Sequence, residues 1–302
     1  MIMSILQRYT ALRDYVAKNF SSTTVEMVDH ALRFAHEHLS EYERYDHTPM
    51  LDHGVGVAHI VIKDIGLGRN SAIASIIHDV VRIAIQQSQP TEELFNAIRH
   101  DYGEEVLGIV LALCKISDIK LKVSKEQASD FRDMIVSYSE DPRVILIKLA
   151  DRLEVMRSLD IFPEAKRRTK SWESLNLYAQ IAHKLGLYAI KSELEDLSLK
   201  YLETEAYNHI VYELKESENE RMAFIEEFLK PVRELLDRDG LKYHIKSRTK
   251  SVYSIFQKMR KQKVSFKGVY DIFALRIIID CPVEREKALC WTVYSHVASL
   301  YT

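Results

Sequence analysis

The chain has 302 residues, enough for about two domains. It is 47% hydrophobic and 28% charged, so it can bury real cores, and its formal net charge of −2 argues against nucleic-acid binding by bulk charge. Nine Gly and six Pro are few for this length and favour long helices over a turn-rich β fold. The three Cys, at 114, 281 and 290, lack metal-ligand spacing and read as reduced thiols of a cytoplasmic protein.

The first twenty residues carry charges every few positions, so they are neither a signal peptide nor a membrane span. Residues 1–40 read as two amphipathic helices broken at Ser21, Ser22 and Thr23, one of which caps the second. A polar loop over 41–52 follows, then a helix over about 56–65 and a turn at 66–70. The central helix, 71–87, precedes helices over 91–102 and 103–116. A mobile connection is expected over 117–127 and helices over 131–139 and 144–159. Pro163 marks a linker over 161–168. One or two long helices cover 173–201, with Lys191 and Glu195 paired on their surface at i, i+4. From 207 to 239 the chain is charged and helix-like. A strand (241–245), a helix (251–263), a buried β-branched strand (274–279) and a helix (283–300) suggest the start of an α/β domain.

Two helices carry polar residues where core residues belong. In the central helix Ala74, His78, Val81 and Ile85 share one stripe, and Asp79 follows the His. In 144–159 the stripe is Val144, Ile147, Asp151 and Val155. An imidazole or carboxylate in such a place costs desolvation unless something pairs with it. A lone core His more often bonds a carbonyl or a water. With His53, just ahead of another apolar stretch, the set becomes two His and two Asp. That is a plausible N/O donor set for a divalent transition metal, with Mn and Fe in play.

The second half carries a different pattern. Between Gly240 and Tyr270 stand nine Lys or Arg and no acidic residue, and Asp271 comes next, immediately before the apolar strand. Such a segment suits a polyphosphate with its metal: the cations neutralise phosphate oxygens and the Asp holds Mg²⁺. A solvated basic helix face and RNA contact are the alternatives.

The order His53, His78-Asp79, Asp151 resembles the HD metal-hydrolase superfamily. The phrases KLADRLEVMRSL, QIAHKLGLYAIKSELEDLSLKYL and VYSIFQKMRKQKVSFKGVYDIFALRIIID together resemble the long RelA/SpoT homologues, which make and destroy the alarmones ppGpp and pppGpp. The resemblance implies a mostly α protein: an all-helical HD-type domain (1–200), connecting helices (201–239), and the first part of an α/β nucleotidyltransferase-like synthetase domain (240–302). It implies Mn²⁺ on His53, His78, Asp79 and Asp151, with Asp79 also catalytic, and Arg44 in contact with the nucleotide. SRTKSVYSIFQK resembles the ATP segment of the synthetases and implies Arg248, Lys250, Ser254 and Lys258 on ATP. YDIFALR implies Asp271 as catalytic Mg²⁺ ligand with Arg276 beside it. The expected partners are guanine nucleotides and ATP, with no membrane and no direct nucleic-acid contact.

Departures from the family set the remaining expectations. The chain stops at Thr302, before the family's guanine-stacking aromatic and second catalytic Glu, so it is expected to be a truncated form that does not synthesise alarmone. Hydrolase-competent members carry Glu-Asp where this chain has Arg82-Ile83. The motif DRLHNM is Asp151-Arg152-Leu153-Glu154-Val155-Met156, and a second basic residue after Arg44 is replaced by Tyr45. These changes point to a degenerate hydrolase domain. The alternatives are an active Mn²⁺-dependent 3′-pyrophosphohydrolase, with Glu154 standing in for a lost carboxylate, and a non-catalytic nucleotide-binding regulatory module.

Overall fold

The computed structural model of the chain describes residues 5–118 and 141–301. The helix expected over 131–139 and most of the connection 117–127 lie outside them. The chain divides into two compact units, Met1–Leu202 and Glu203–Thr302, so the helices after 202 belong to the second unit instead of standing between two domains.

The secondary-structure elements described in the first unit are helices, joined by loops of which the one over 40–50 carries an isolated bridge between Glu43 and Pro49. The helices are α1 (Ile5–Asn19), α2 (Ser22–Leu39), α3 (Leu51–His59) running into a π-helical turn (Ile60–Ile65), α4 (Arg69–Gln86), α5 (Glu92–Tyr102) and α6 (Glu104–Asp118). After the undescribed stretch come α7 (Pro142–Arg157), α8 (Glu164–Glu173) with a second π-helical turn (Ser174–Tyr178), α9 (Ala179–Lys184) and α10 (Tyr188–Leu202). Local chemistry sets the ends. Ser21 Oγ accepts the Thr24 backbone N–H at 3.3 Å and caps α2. The Asp141 carboxylate caps α7, with Pro142 in its first turn. Pro163 does not open a linker as long as expected: it stands directly before α8, where its missing N–H costs nothing.

α4 is the centre of this unit, packed against α2, α3 and α6. Ile73, Ile76 and Ile77 are fully buried in it, each worth about 1.5–3 kcal/mol. Two glycines let the neighbouring helices come close. A Cβ on Gly54 would stand 2.8 Å from the Ile76 carbonyl oxygen, where α3 crosses α4. A Cβ on Gly56 would stand 2.8 Å from Glu154 Cγ, where α3 meets α7. His53, one residue before this pair, is thereby held between α4 and α7. The stripe expected to be buried on α4 holds through Ala74, His78 and Val81 but ends at Ile85, which is 38% exposed near the helix end.

The second unit has α11 (Thr204–Glu216), α12 (Glu218–Arg238), β1 (Tyr243–Thr249), α13 (Val252–Gln262), β2 (Phe273–Ile279) and α14 (Val283–Leu300). β1 and β2 form an antiparallel pair with Arg248 opposite Ala274 and Lys246 opposite Arg276. Alternation puts Tyr243, Ile277 and Ile279 against Val232, Leu236 and Val293 of α12 and α14. Ala274, Arg276 and Ile278 lie on the exposed face, so β2 is half-buried and not the buried strand its apolar run suggests.

Candidate metal centre and nucleotide cleft

His53 sits in the first turn of α3, not ahead of the helix as expected, because α3 begins at Leu51. Its ring lies 5.5 Å from that of His78, centroid to centroid. One donor atom each from His53, His78 and Asp151 fall within 4.8 Å of one another. Asp79 stands beside this trio, with Oδ1 3.3 Å from His78 Nε2 and 2.6 Å from Arg82 Nε. Three of the four expected ligands are thus brought together, and the fourth is engaged by a cation.

Each imidazole is pinned from behind. His78 Nδ1 donates to the Ser75 carbonyl at 2.7 Å, which leaves Nε2 as the lone-pair nitrogen. Burial pushes the His78 ring towards its neutral form. His53 Nδ1 bonds the Glu154 carboxylate, and His53 Nε2 is 3.2 Å from Asp151 Oδ1. Burial opposes charge on His53, but Glu154 and Asp151 outweigh it and raise the ring to about 10. A proton therefore sits where a cation would otherwise balance the same carboxylates. Burial also works against ionising Asp79 and Asp151. His78 and Arg82 nevertheless hold Asp79 below the usual carboxylate range, and Lys148, whose Nζ is 2.6 Å away, does the same for Asp151.

The donor set fits a divalent metal. The Nε2 atoms converge with a carboxylate, their Nδ1 atoms are held by a carbonyl and a carboxylate, and Asp79 Oδ2 is buried without a hydrogen-bond partner among the described residues. The trio opens into a cleft of about 990 Å³. Tyr45 and Phe162 form its aromatic wall, with ring centroids 5.0 Å apart. Lys148, Arg152, Lys166 and Lys170 bring positive charge to it. None of Arg152, Lys166 and Lys170 stood out in the sequence, where they are ordinary helix charges. Arg152 Nη1 is buried with no hydrogen-bond partner among the described residues, while Nη2 donates to Glu173 at 2.9 Å.

Several residues sit elsewhere than expected. Arg44 is no surface charge: its side chain is 6% exposed and donates from Nη1 to Glu154 Oε1 at 2.9 Å and from Nη2 to Ser158 Oγ at 2.5 Å. Glu154 cannot stand in for a lost carboxylate at the reacting centre, because it lies behind His53 with both oxygens committed. Arg82 lines the cleft, whereas Ile83 is a core residue, since successive helix positions point about 100° apart. Glu195 pairs with Lys191 at 2.8 Å as expected, but is buried.

In the second unit Lys250 and Lys258 both bond Asp271, and together they hold its carboxyl down to about 2. Ser254 lies in the first turn of α13, its N–H donated to Ser251 Oγ at 3.3 Å. By strand alternation Arg248 and Arg276 share the exposed face of the sheet. The structure thus joins Lys250, Lys258 and Asp271 in one cluster, with Arg248 and Arg276 on the adjoining strands.

An all-helical unit with His, His-Asp and Asp gathered in one cleft is an HD-type domain, and the HD domain family matches residues 31–188. HD-domain hydrolases are metal-dependent. The region found in RelA/SpoT proteins matches residues 247–302. The chain is 35% identical to a guanosine-3′,5′-bis(diphosphate) 3′-pyrophosphohydrolase of Aquifex aeolicus, over 91% of the chain and 38% of that protein. It is 36% identical to a GTP pyrophosphokinase of Myxococcus xanthus, over 76% and 30%. It is 33% identical to the bifunctional (p)ppGpp synthase/hydrolase SpoT of Escherichia coli, over 84% and 34%. The chain belongs to the RelA/SpoT family and spans about a third of the length of these relatives. No helix among the described residues is long and apolar enough to cross a membrane.

Proposed function

We propose that the protein acts in ppGpp and pppGpp metabolism, with an HD unit that binds guanine nucleotide and Mn²⁺ but is impaired as a 3′-pyrophosphohydrolase. The observation that carries this reading is the Arg82–Asp79 pair. His53, His78 and Asp151 converge as ligands should, yet the remaining carboxylate is held by a guanidinium at the cleft wall. Bound there, a divalent metal would stabilise negative charge on the phosphoryl oxygens. The chain's own residues would orient the nucleotide through the Tyr45–Phe162 wall and neutralise its phosphates with Lys148, Arg152, Lys166 and Lys170. No carboxylate at position 82 prepares a water, and Arg82 favours binding over turnover.

In the second unit, the parent protein would transfer pyrophosphate from ATP to GDP or GTP. Lys250 and Lys258 would neutralise phosphates, Arg248, Ser254 and Arg276 would position ATP, and Asp271 would hold Mg²⁺ once nucleotide draws the lysines away. A cytoplasmic setting suits three cysteines that form no disulfide.

An active hydrolase is the second reading, favoured by the two pinned imidazoles. ppGpp hydrolysis with added Mn²⁺, beside an Asp151→Ala control, separates the two. No turnover from a folded chain that still binds GDP supports the impaired domain. Turnover lost in the control supports the hydrolase. Arg82→Glu alone is expected to raise hydrolysis at least 10-fold. Changing Ile83 to Asp as well would bury a carboxylate in the core and confound the result.

A further inference from the structure

A chain of charges runs from half-buried Arg8 of α1 through buried Asp52, Arg44 and Glu154 to the metal centre. Arg8 Nη1 lies 3.1 Å from Asp52 Oδ2 and 3.6 Å from Glu154 Oε1. Arg44 Nη1 lies 3.5 Å from Asp52 Oδ2 and 2.9 Å from Glu154 Oε1. Glu154 Oε2 bonds His53 Nδ1. Glu154 is 4% exposed, and the hollow it fills is the one Gly56 leaves. An ionised carboxylate with no cation beside it would not persist there. Arg44 and Arg8 balance Glu154 and Asp52, which leaves Glu154 able to stay charged against the imidazole.

We infer that Glu154 is the positioning residue for the metal centre: it fixes the His53 ring so that Nε2 faces His78 and Asp151, and Arg44 holds Glu154 in place. The inference rests on reading the trio as a divalent-metal site. Arg44, which also lines the cleft, therefore acts on the metal centre through Glu154. A carboxylate behind a ligating His fixes the tautomer and raises ligand basicity, and losing such a partner costs 10–100-fold in metal affinity.

The first test is Mn²⁺ affinity by titration calorimetry for the intact chain and for Glu154→Gln, which keeps the shape and removes the charge. Native circular dichroism is required of both. The variant is expected to bind Mn²⁺ at least 10-fold more weakly. Equal affinity would overturn the inference while leaving the metal reading intact. Absence of Mn²⁺ binding by the unaltered chain would overturn both together. If Glu154→Gln fails to fold, the unaltered chain still decides. With Zn²⁺ bound, histidine ¹⁵N correlation spectra should show His53 carrying its proton on Nδ1 and the metal on Nε2. The metal on Nδ1 would overturn the inference. A merely structural Glu154 would leave the Mn²⁺ affinity of a folded Glu154→Gln unmoved.

Discussion

Asp79 and Asp271 are both carboxylates held by cations, and they behave differently because of where they stand. Asp79 is 2% exposed, deep in a helical unit, and Arg82 reaches it from the next turn of the same helix. Asp271 has a side chain 54% exposed and is met by two lysines, one on each side of the Ser251 cap of α13. In the first case the low dielectric makes the pair strong and its breaking costly, since a buried charge is left unpaired. In the second, water screens the pair, and the lysines can turn to another anion at little cost. The buried site is built to hold one arrangement, the exposed one to exchange its partners.

The contrast is sharpest for the ligands. Asp151→Ala should weaken Mn²⁺ binding by at least about 100-fold, beyond the 10–100-fold typical of a supporting residue. It also leaves Lys148 without its 2.6 Å partner, so thermal unfolding should show a loss of stability. Asp271→Ala should leave Mn²⁺ binding unchanged and lower the melting temperature far less than Asp151→Ala, because its contacts are screened. A drop in Mn²⁺ affinity in Asp271→Ala would break the comparison.

Packing offers the next contrast, between two helical glycines. Gly56→Ala pushes a Cβ to 2.8 Å from Glu154 Cγ, against a side chain tied at both oxygens. It should cost about 1–3 kcal/mol of stability by overpacking and weaken Mn²⁺ binding through Glu154. Gly108 of α6 has nothing within 4 Å of its added Cβ, so Gly108→Ala should stabilise by roughly 0.5–1 kcal/mol. Chemical denaturation of the two variants checks both signs. A stabilising Gly56→Ala would mean that Glu154 is free to move.

The sequence made the centre legible because polar residues in apolar stripes are conspicuous: His78 and Asp151 stood out for that reason. The helical order of the first unit was readable from the same periodicity. The surroundings were harder, because they depend on contacts distant in the chain. Arg44 looks like a loop charge until Glu154, 110 residues later, is known to face it. Glu154 itself falls one turn after Asp151 on the same helix, and that spacing alone places it near the centre but not behind His53. The different facing of Arg82 and Ile83 was available from the 100° step between helix neighbours. The apolar run of β2 suggested full burial, although Arg276 within it already marked the face that Ala274 and Ile278 share with it as the exposed one.

The smallest expected effect tests whether the cleft is tuned for anions. Lys170 lines it, with the Phe162 ring 5.3 Å from its amine and no carboxylate partner among the described residues. Burial, and then repulsion from Arg152, lowers it from the ordinary lysine value to about 8. Below pH 8 the amine is charged, and as pH rises through 8 the cleft loses one positive charge. GDP affinity should therefore fall a few-fold between pH 7 and pH 9. That decline should flatten in Lys170→Met. A bound phosphate favours the charged amine, so binding near pH 8 should take up a fraction of a proton, read as a dependence of calorimetric heat on the buffer's ionisation enthalpy. Stability has its own sign. The unfolded chain binds more protons at this residue between about pH 8 and the ordinary lysine range, so this residue's contribution to stability rises with pH across that window. Asp271 has the same sign at the acid end. Its carboxyl is lowered, so its contribution is present near neutral pH and fades as pH falls towards 2. A GDP affinity independent of pH from 7 to 9 in the unaltered chain would remove Lys170 from the binding surface and leave the phosphates to Lys148, Arg152 and Lys166.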